Sequence, residues 1–280
     1  MRIKDFLSST SLDRLDAELI LCAVLDVDRA YLTAHDNEEI GDTDSVVRIA
    51  KRRLKGEPLA YILGYKDFYG RRFFVDNRVL VPRPETEQLI DLALETKPNL
   101  IIDVGTGSGI IAITMNRETK RPVFALDLST PALNLAQKNA ELHDTHGIMF
   151  MNSYLLTALE KGISIDGNLT IIANLPYVDR EWNWISKEAL AYEPEMALYA
   201  NDHGLDLIKK LLNQIPKINF QARRKSLVLE ADPSQHLSII KYAKNLNFSY
   251  IKSTEFGILL TFKKSRTVGI IIPTAQPTSS

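Results

Sequence analysis

Apolar residues Leu12, Leu15, Leu19, Cys22, Ala23 and Leu25 recur at helical spacing, which predicts a helix over 11 to about 27 with Ser11 as its N-cap. A second helix is expected over 44–55. Gly41 and the polar run around it separate the two, Gly56 ends the second, and a short apolar segment follows at 59–63. Residues 1–70 therefore read as a small helical domain. Between Tyr65 and Arg83 the pattern changes to aromatic and β-branched residues, among them Phe68, Phe73, Phe74, Val75, Val79 and Val81, with Gly70 and Asp76-Asn77 as turn formers. That pattern fits a β-hairpin, and residues 71–86 are assigned as a hairpin linker.

From Glu87 onward strands and helices alternate, with helices expected near 87–96, 109–117, 131–142, 204–214 and 235–245. Strands are expected at 100–104, 122–127, 148–151, 169–173 and 226–230, with an antiparallel pair over 248–263. Alternation of this kind gives an α/β, Rossmann-like domain over 87–264, a parallel sheet covered by helices on both faces. Residues 265–280 read as a flexible tail, with Ile270 to Ile272 able to dock on the surface.

Composition narrows the function classes. The chain has 280 residues, 45% hydrophobic and 25% charged, close to globular averages, so a catalytic domain and a smaller partner both have material for a core. Thirty-four Lys and Arg against 35 Asp and Glu leave a net charge of −1, which argues against affinity built on many phosphate contacts; nucleic acid is not the expected substrate. Cys22 is the only cysteine, so no intrachain disulfide or cysteine metal site exists, and it reads as a buried structural thiol. The N-terminal MRIKDFLSST lacks a signal-peptide core and no stretch approaches a membrane span, so a cytoplasmic protein without membrane contact is expected.

Three motifs carry candidate chemistry. Gly105, Gly107 and Gly109 follow a strand and open a helix, where the missing side chains let backbone turn tightly and approach a ligand. A dinucleotide fingerprint wants its third glycine at position 110, which is Ile110, so a nicotinamide or flavin cofactor is disfavoured. Asp127 ends the next strand about 20 residues on, where an acid accepts the hydroxyls of a ribose; it is alternatively a helix cap, a role Ser129 or Thr130 can fill instead. Asn174-Leu175-Pro176-Tyr177 follows the apolar strand at the sheet's carboxyl edge. An amide or amino nitrogen has a delocalised lone pair and needs acceptors for its N–H groups as charge develops, and Asn174 Oδ1 and the Leu175 carbonyl can supply them. Pro176 holds Leu175 extended, and Tyr177 can offer a ring face to a planar group; in isolation the four residues are also an ordinary strand-ending turn. No metal is implied, because a sulfonium methyl is already activated. The set predicts an S-adenosylmethionine-dependent N-methyltransferase.

The chain resembles the family of release-factor glutamine methyltransferases over about residues 10–263. The resemblance rests on DAELILCAVL at 16–25, GEPLAYILGYKDFYG at 56–70, VPRPETEQLI at 81–90, DVGTGSGIIAI at 103–113 and YEPEMAL at 192–198. It implies a class I S-adenosylmethionine-dependent methyltransferase fold and methylation of the glutamine side-chain amide (N5) in the Gly-Gly-Gln motif of class 1 peptide chain release factors. By that resemblance Gly105, Thr106, Gly107, Ser108, Gly109, Asp127, Tyr154 and Asn174 hold the cofactor, S-adenosyl-L-methionine, with Tyr154 flanking the adenine. Asn174, Leu175, Pro176 and Tyr177 are the candidate catalytic residues and grip the glutamine amide. Arg83, Glu85 and Thr86 line the substrate entrance, and the helical N-terminal domain docks the release factor. Leu175 departs from the family's usual Asn-Pro-Pro-Tyr, as do Asn201, His203 and Asp232 from their usual residues. Asn-Leu-Pro-Tyr also resembles ribosomal-RNA adenine dimethylases, which makes an adenine N6-methyltransferase acting on RNA or DNA the alternative. Twelve Lys or Arg against thirteen Asp or Glu in residues 1–75 give that alternative no basic face.

Overall fold

The computed structural model describes residues 1–182 and 191–262; the tail expectation for 265–280 lies outside them. A seven-stranded sheet forms the centre, built from β3 (Leu100–Val104), β4 (Val123–Asp127), β5 (Ile148–Asn152), β7 (Asn168–Ala173), β9 (Arg224–Glu230), β10 (Phe248–Ser253) and β11 (Gly257–Phe262). Their spatial order is β10-β11-β9-β7-β3-β4-β5. The five strands from β9 to β5 run parallel, and β11 lies antiparallel to both β9 and β10. The parallel arrangement expected from the alternation is present in these five strands, and the antiparallel pair expected over 248–263 closes one edge as β10 and β11, which makes the sheet mixed.

The central strands β3, β4 and β7 carry apolar side chains on both faces, as buried parallel strands do. Ile101, Val123, Ala125, Ile172, Val228 and Leu259 point to one side, where they pack on Leu89, Ile90 and Leu92 of α6 (Glu87–Glu95) and Ile111, Ile113 and Met115 of α7 (Ile110–Thr119). Ile102, Val104, Ile171, Leu227, Leu229 and Leu260 point to the other, against Ile208, Leu211 and Leu212 of the helix Asp206–Gln214 and Ile239 of the helix His236–Asn245. A short parallel pair, β6 (Ile163–Ser164) with β8 (Phe220–Gln221), escapes the sequence pattern because two residues carry no period.

The N-terminal unit has its own core around Ile3, Phe6, Ala17, Ile20, Leu21, Leu32 and Val46. Its main helix is Arg14–Leu25, shorter than expected, and Asp13 rather than Ser11 is the N-cap, accepting from Leu15 N at 2.8 Å. A carboxylate there also complements the helix dipole, which a hydroxyl two residues upstream does not. Ile3–Ser9 and Arg29–Ala34 are two further short helices that the pattern missed, and Thr43–Leu54 and Leu59–Leu63 match it. Cys22 is half-buried against this core rather than fully enclosed. Arg52 and Arg53, from the basic run in Thr43–Leu54, pair with Glu57 and Asp16.

The hairpin is β1 (Tyr65–Phe68) with β2 (Arg71–Phe74), so it ends well before residue 83. Tyr69 and Gly70, both at positive φ, make its two-residue turn. The chain then runs irregularly through a turn in which Val79 N donates to Asp76 O. Val75, Val79 and Val81 pack between Ala60 and Ala132 and Leu135 of α8 (Thr130–Leu142), tying the N-terminal unit to the sheet domain beside the glycine loop.

Candidate active site

Register decides what the carboxyl edge of the sheet brings together. Val104 is level with Leu126 on one side and with Ala173 on the other, so the residues that follow, Gly105, Asp127 and Asn174, leave three adjacent strands at one height. Between β3 and β7 the chain order also reverses, with later strands added on opposite sides, and such a switch point opens a crevice for ligands. A cavity of about 590 Å³ lies there, within the rough 300–1,000 Å³ range of small-molecule sites.

The three glycines of the loop serve different ends. Gly105 and Thr106 N–H groups both donate to Leu126 O, at 2.8 and 2.9 Å, which folds the loop back over β4. At Gly105 (φ +77°) a Cβ would stand 3.2 Å from Leu175 Cδ2, so the cofactor loop and the Asn-Leu-Pro-Tyr turn touch directly. At Gly109 (φ +84°), which caps α7, a Cβ would meet Ile113 and Ala136 at 3.0 and 3.1 Å, so this glycine permits the close packing of α7 on α8. Gly107 (φ +55°) has open space above it and presents bare backbone to the cavity. Thr106 and Ser108 also line the cavity, but their side chains are buried, and the Thr106 hydroxyl donates to Asp103 Oδ2 at 2.6 Å. Asp103 is fully buried beneath the loop, and that burial pushes its carboxyl up to about 7.

Asp127 holds the loop from the side. Its Oδ2 accepts from Gly107 N and its Oδ1 from Ser129 N, each at 2.8 Å, while Ser129 Oγ caps α8 by accepting from Ala132 N. The capping alternative for Asp127 is therefore filled by Ser129. Burial raises the Asp127 pKa, and the hydrogen bonds from Ser129 and Gly107 oppose it. A carboxylate has about four acceptor positions, more than the backbone donors around Asp127 use, so it can still accept from a hydroxyl entering from the cavity. Beyond it Leu128 and Tyr154, both largely exposed, and Leu155 and Ala132 form an apolar wall suited to a flat ring. Bare Gly107 backbone, an acid with spare acceptors and an apolar slot in one cavity fit an adenosine-bearing cofactor.

At the far end Asn174, Leu175 and Pro176 line the cavity, as do Arg83 and Thr86; Glu85 and Tyr177 do not. Asn174 Nδ2 donates to Thr86 Oγ1 at 3.1 Å. Leu175, in the place of the family's proline, is buried against the glycine loop. Tyr177 is held at both ends: its hydroxyl donates to Glu230 Oε1 at 3.1 Å and its carbonyl accepts from Gln235 Nε2 at 2.9 Å. Burial, then the charge of Glu230, raises the Tyr177 pKa far above the ordinary phenol value. Gly204 (φ +80°) runs so close that a Cβ would lie 1.9 Å from the Tyr177 carbonyl oxygen.

Several supporting residues show their roles only in the fold. Glu193 is buried and accepts from Val81 N at 3.2 Å and from Arg83 Nη2 at 2.7 Å, clamping the PRPETE segment to the YEPEMAL segment. Tyr192 OH donates to Lys55 O, linking that clamp to the N-terminal unit. Pro194 to Ala197, Tyr199, Ala200 and Asn201 complete the wall. Asn139, fully buried in α8, accepts from Phe74 N and donates to Phe74 O and Ser108 O, fastening the hairpin and the glycine loop to one helix. Of the remaining departures, His203 pairs with Asp179 and Asp232 caps the turn Pro233–Gln235.

The fold, with its switch-point cavity, is that of a class I methyltransferase, and S-adenosylmethionine is its cofactor. A methyltransferase from Pyrococcus furiosus superposes with a TM-score of 0.50 at 16% identity, covering 70% of this chain and 91% of that one. Residues 1–64 match the family model described as PrmC N-terminal domain, and residues 87–175 that of ribosomal protein L11 methyltransferase (PrmA). A release factor glutamine methyltransferase from Koribacter versatilis is 41% identical over 217 residues, 74% of this chain and 76% of that protein. One of the same name from Neisseria gonorrhoeae is 37% identical, covering 77% and 80%. The chain belongs to the release factor glutamine methyltransferase family.

Proposed function

We propose that this protein transfers a methyl group from S-adenosylmethionine to the side-chain amide nitrogen (N5) of the glutamine in the Gly-Gly-Gln motif of class 1 peptide chain release factors. The observation that carries the reading is the single cavity running from Asp127, past Gly105 and Gly107, to Asn174. In it Gly107, Asp127, Leu128 and Tyr154 hold the cofactor, which when bound supplies an electrophilic methyl on a sulfonium. Asn174 Oδ1 and the Leu175 carbonyl accept the two N–H groups of the incoming amide, drawing electron density onto its nitrogen and orienting its lone pair. Apolar walls exclude water from the displacement, and alignment is the main catalytic contribution.

Arg83, fixed by Glu193, stands at the entrance and is positioned to meet the release-factor backbone. The helical unit of residues 1–70 docks the release factor, residues 71–86 link it to the catalytic domain of 87–264, and the reaction takes place in the cytoplasm. No helix among the described residues is long and apolar enough to cross a membrane. The nucleic-acid alternative is not favoured: within the basic run of residues 51–55, Arg52 and Arg53 are paired with Glu57 and Asp16. The test is mass spectrometry of a class 1 release factor after incubation with this protein and S-adenosylmethionine. The expected result is one added methyl on the Gly-Gly-Gln glutamine; methyl incorporation into RNA but not into the factor refutes the reading.

A further inference from the structure

Asn174 acts as an acceptor toward the substrate only if its amide is turned the right way. The two ends of a carboxamide differ by one atom, and their orientation is set by neighbouring hydrogen bonds. Here Nδ2 is committed to Thr86 Oγ1, and Oδ1 makes no hydrogen bond with any described residue. The Thr86 hydroxyl, almost fully buried, has one proton of its own to place once it accepts from Asn174. Its neighbour is Glu230, the last residue of β9, also almost fully buried. Glu230 Oε1 takes the Tyr177 hydroxyl, and Oε2 is buried without a hydrogen-bond partner among the described residues, an acceptor left open for the Thr86 proton. Burial pushes the Glu230 carboxyl up to about 7, while hydrogen bonding from Thr86, Tyr177 and Asn174 opposes that rise and favours the carboxylate.

We propose that Glu230 is a positioning residue that sets the polarity of this chain: its carboxylate, which in the ionised form can only accept, draws the Thr86 hydroxyl inward, so that Thr86 can only accept from Asn174, and Asn174 Oδ1 is left facing the reacting amide. A glutamine at 230 keeps the shape but introduces an N–H donor. Thr86 then receives a donor from position 230, its own proton turns toward Asn174, and the Asn174 amide flips to present Nδ2 to the substrate N–H groups. Donor faces donor, and the transition state loses the acceptor it needs. The inference rests on the amide-methylation reading above and assigns to it a residue that never touches the substrate.

The experiment uses the full-length protein, S-adenosylmethionine and a release factor, with steady-state kinetics for Glu230→Gln, Thr86→Val, Thr86→Ser and the Glu230→Gln/Thr86→Val double variant. Expected are a fall in kcat of tenfold or more for Glu230→Gln and Thr86→Val, a cofactor Kd by calorimetry within about twofold of wild type, and no further loss in the double variant. Thr86→Ser, which keeps the hydroxyl, recovers most of what Thr86→Val loses. A Glu230→Gln kcat within threefold of wild type, or independent multiplication of the two losses, overturns the inference. If Glu230→Gln does not fold, the Thr86→Ser to Thr86→Val ratio decides: near unity, it overturns the chain. Wild-type turnover on the glutamine tests the activity reading separately, because only the ratios between variants and wild type bear on Glu230.

Discussion

Replacing Asp127 with asparagine separates cofactor binding from everything else the loop does. The carboxylate spends one oxygen on Gly107 N and the other on Ser129 N, each at 2.8 Å. Asparagine keeps one acceptor and turns an NH2 toward the other N–H, so one loop bond is lost and two donors meet. A hydrogen bond to a charged group contributes about 1.5–3 kcal/mol, and a ribose hydroxyl donating to the lost oxygen contributes a similar amount. The loop bond is present with and without cofactor, so its loss falls on stability; the ribose bond alone sets the affinity, and at about 1.4 kcal/mol per tenfold the Kd for S-adenosylmethionine should rise roughly 10- to 100-fold. Calorimetry of the wild type and Asp127→Asn measures this directly. Because Ser129 caps α8, the circular dichroism spectrum should stay unchanged. A Kd change under tenfold, or loss of helix, would refute the assignment. The sign with pH follows from the raised pKa: cofactor affinity is full above it and is lost as pH falls through it, at higher pH than an ordinary aspartate would give.

Asn174→Ala removes the acceptor for the reacting nitrogen while leaving Gly107 and Asp127 in place, so kcat should fall at least 100-fold with cofactor Kd nearly constant; a parallel fall in affinity would show that the residue serves the cofactor instead. Asn139→Leu strands Phe74 N–H, Phe74 C=O and the Ser108 C=O in the interior, and at about 1–3 kcal/mol for each unsatisfied group the unfolding free energy should drop by roughly 3 kcal/mol or more in urea denaturation. Gly204→Ala puts a Cβ 1.9 Å from the Tyr177 carbonyl oxygen at a positive φ, so it should lower both stability and kcat, and a crystal structure should show the Tyr177 backbone displaced. Glu193→Gln leaves Arg83 without its partner charge, which should raise KM for the release factor and lower stability by about 3 kcal/mol or less, since Arg83 is partly solvated, with cofactor affinity retained.

What the sequence makes legible and what it hides divide along the range of the forces involved. Strand runs such as Leu100–Val104 and Asn168–Ala173 are mostly apolar on both faces, interrupted only by Asp103, Asn168 and Thr170, and that is visible without a partner. Gly105, Gly107, Gly109, Asp127 and Asn174 announce themselves because each sits where backbone or a short side chain must do something unusual directly after a strand. Short elements such as Ile3–Ser9 stay hidden, since one or two turns leave no period to detect, and the hairpin looks longer in sequence because Val75, Val79 and Val81 are apolar for packing on α8 rather than for pairing.

The residues that hold the site in shape are illegible for a sharper reason. Glu193 bonds to residues 110 and 112 positions away, Asn139 to one 65 away, and Glu230 to one 53 away. In sequence a glutamate closing a strand or an asparagine inside an amphipathic helix reads as a solvated surface group, and only the fold shows that each is buried and that its charge or amide is satisfied by backbone and side chains from other elements. The reacting groups can therefore be named from one local motif, while their orientation belongs to the tertiary structure. Asn174 is the same residue whichever way its amide points, and the direction that makes it an acceptor depends on Thr86 and Glu230, 88 and 56 residues away along the chain.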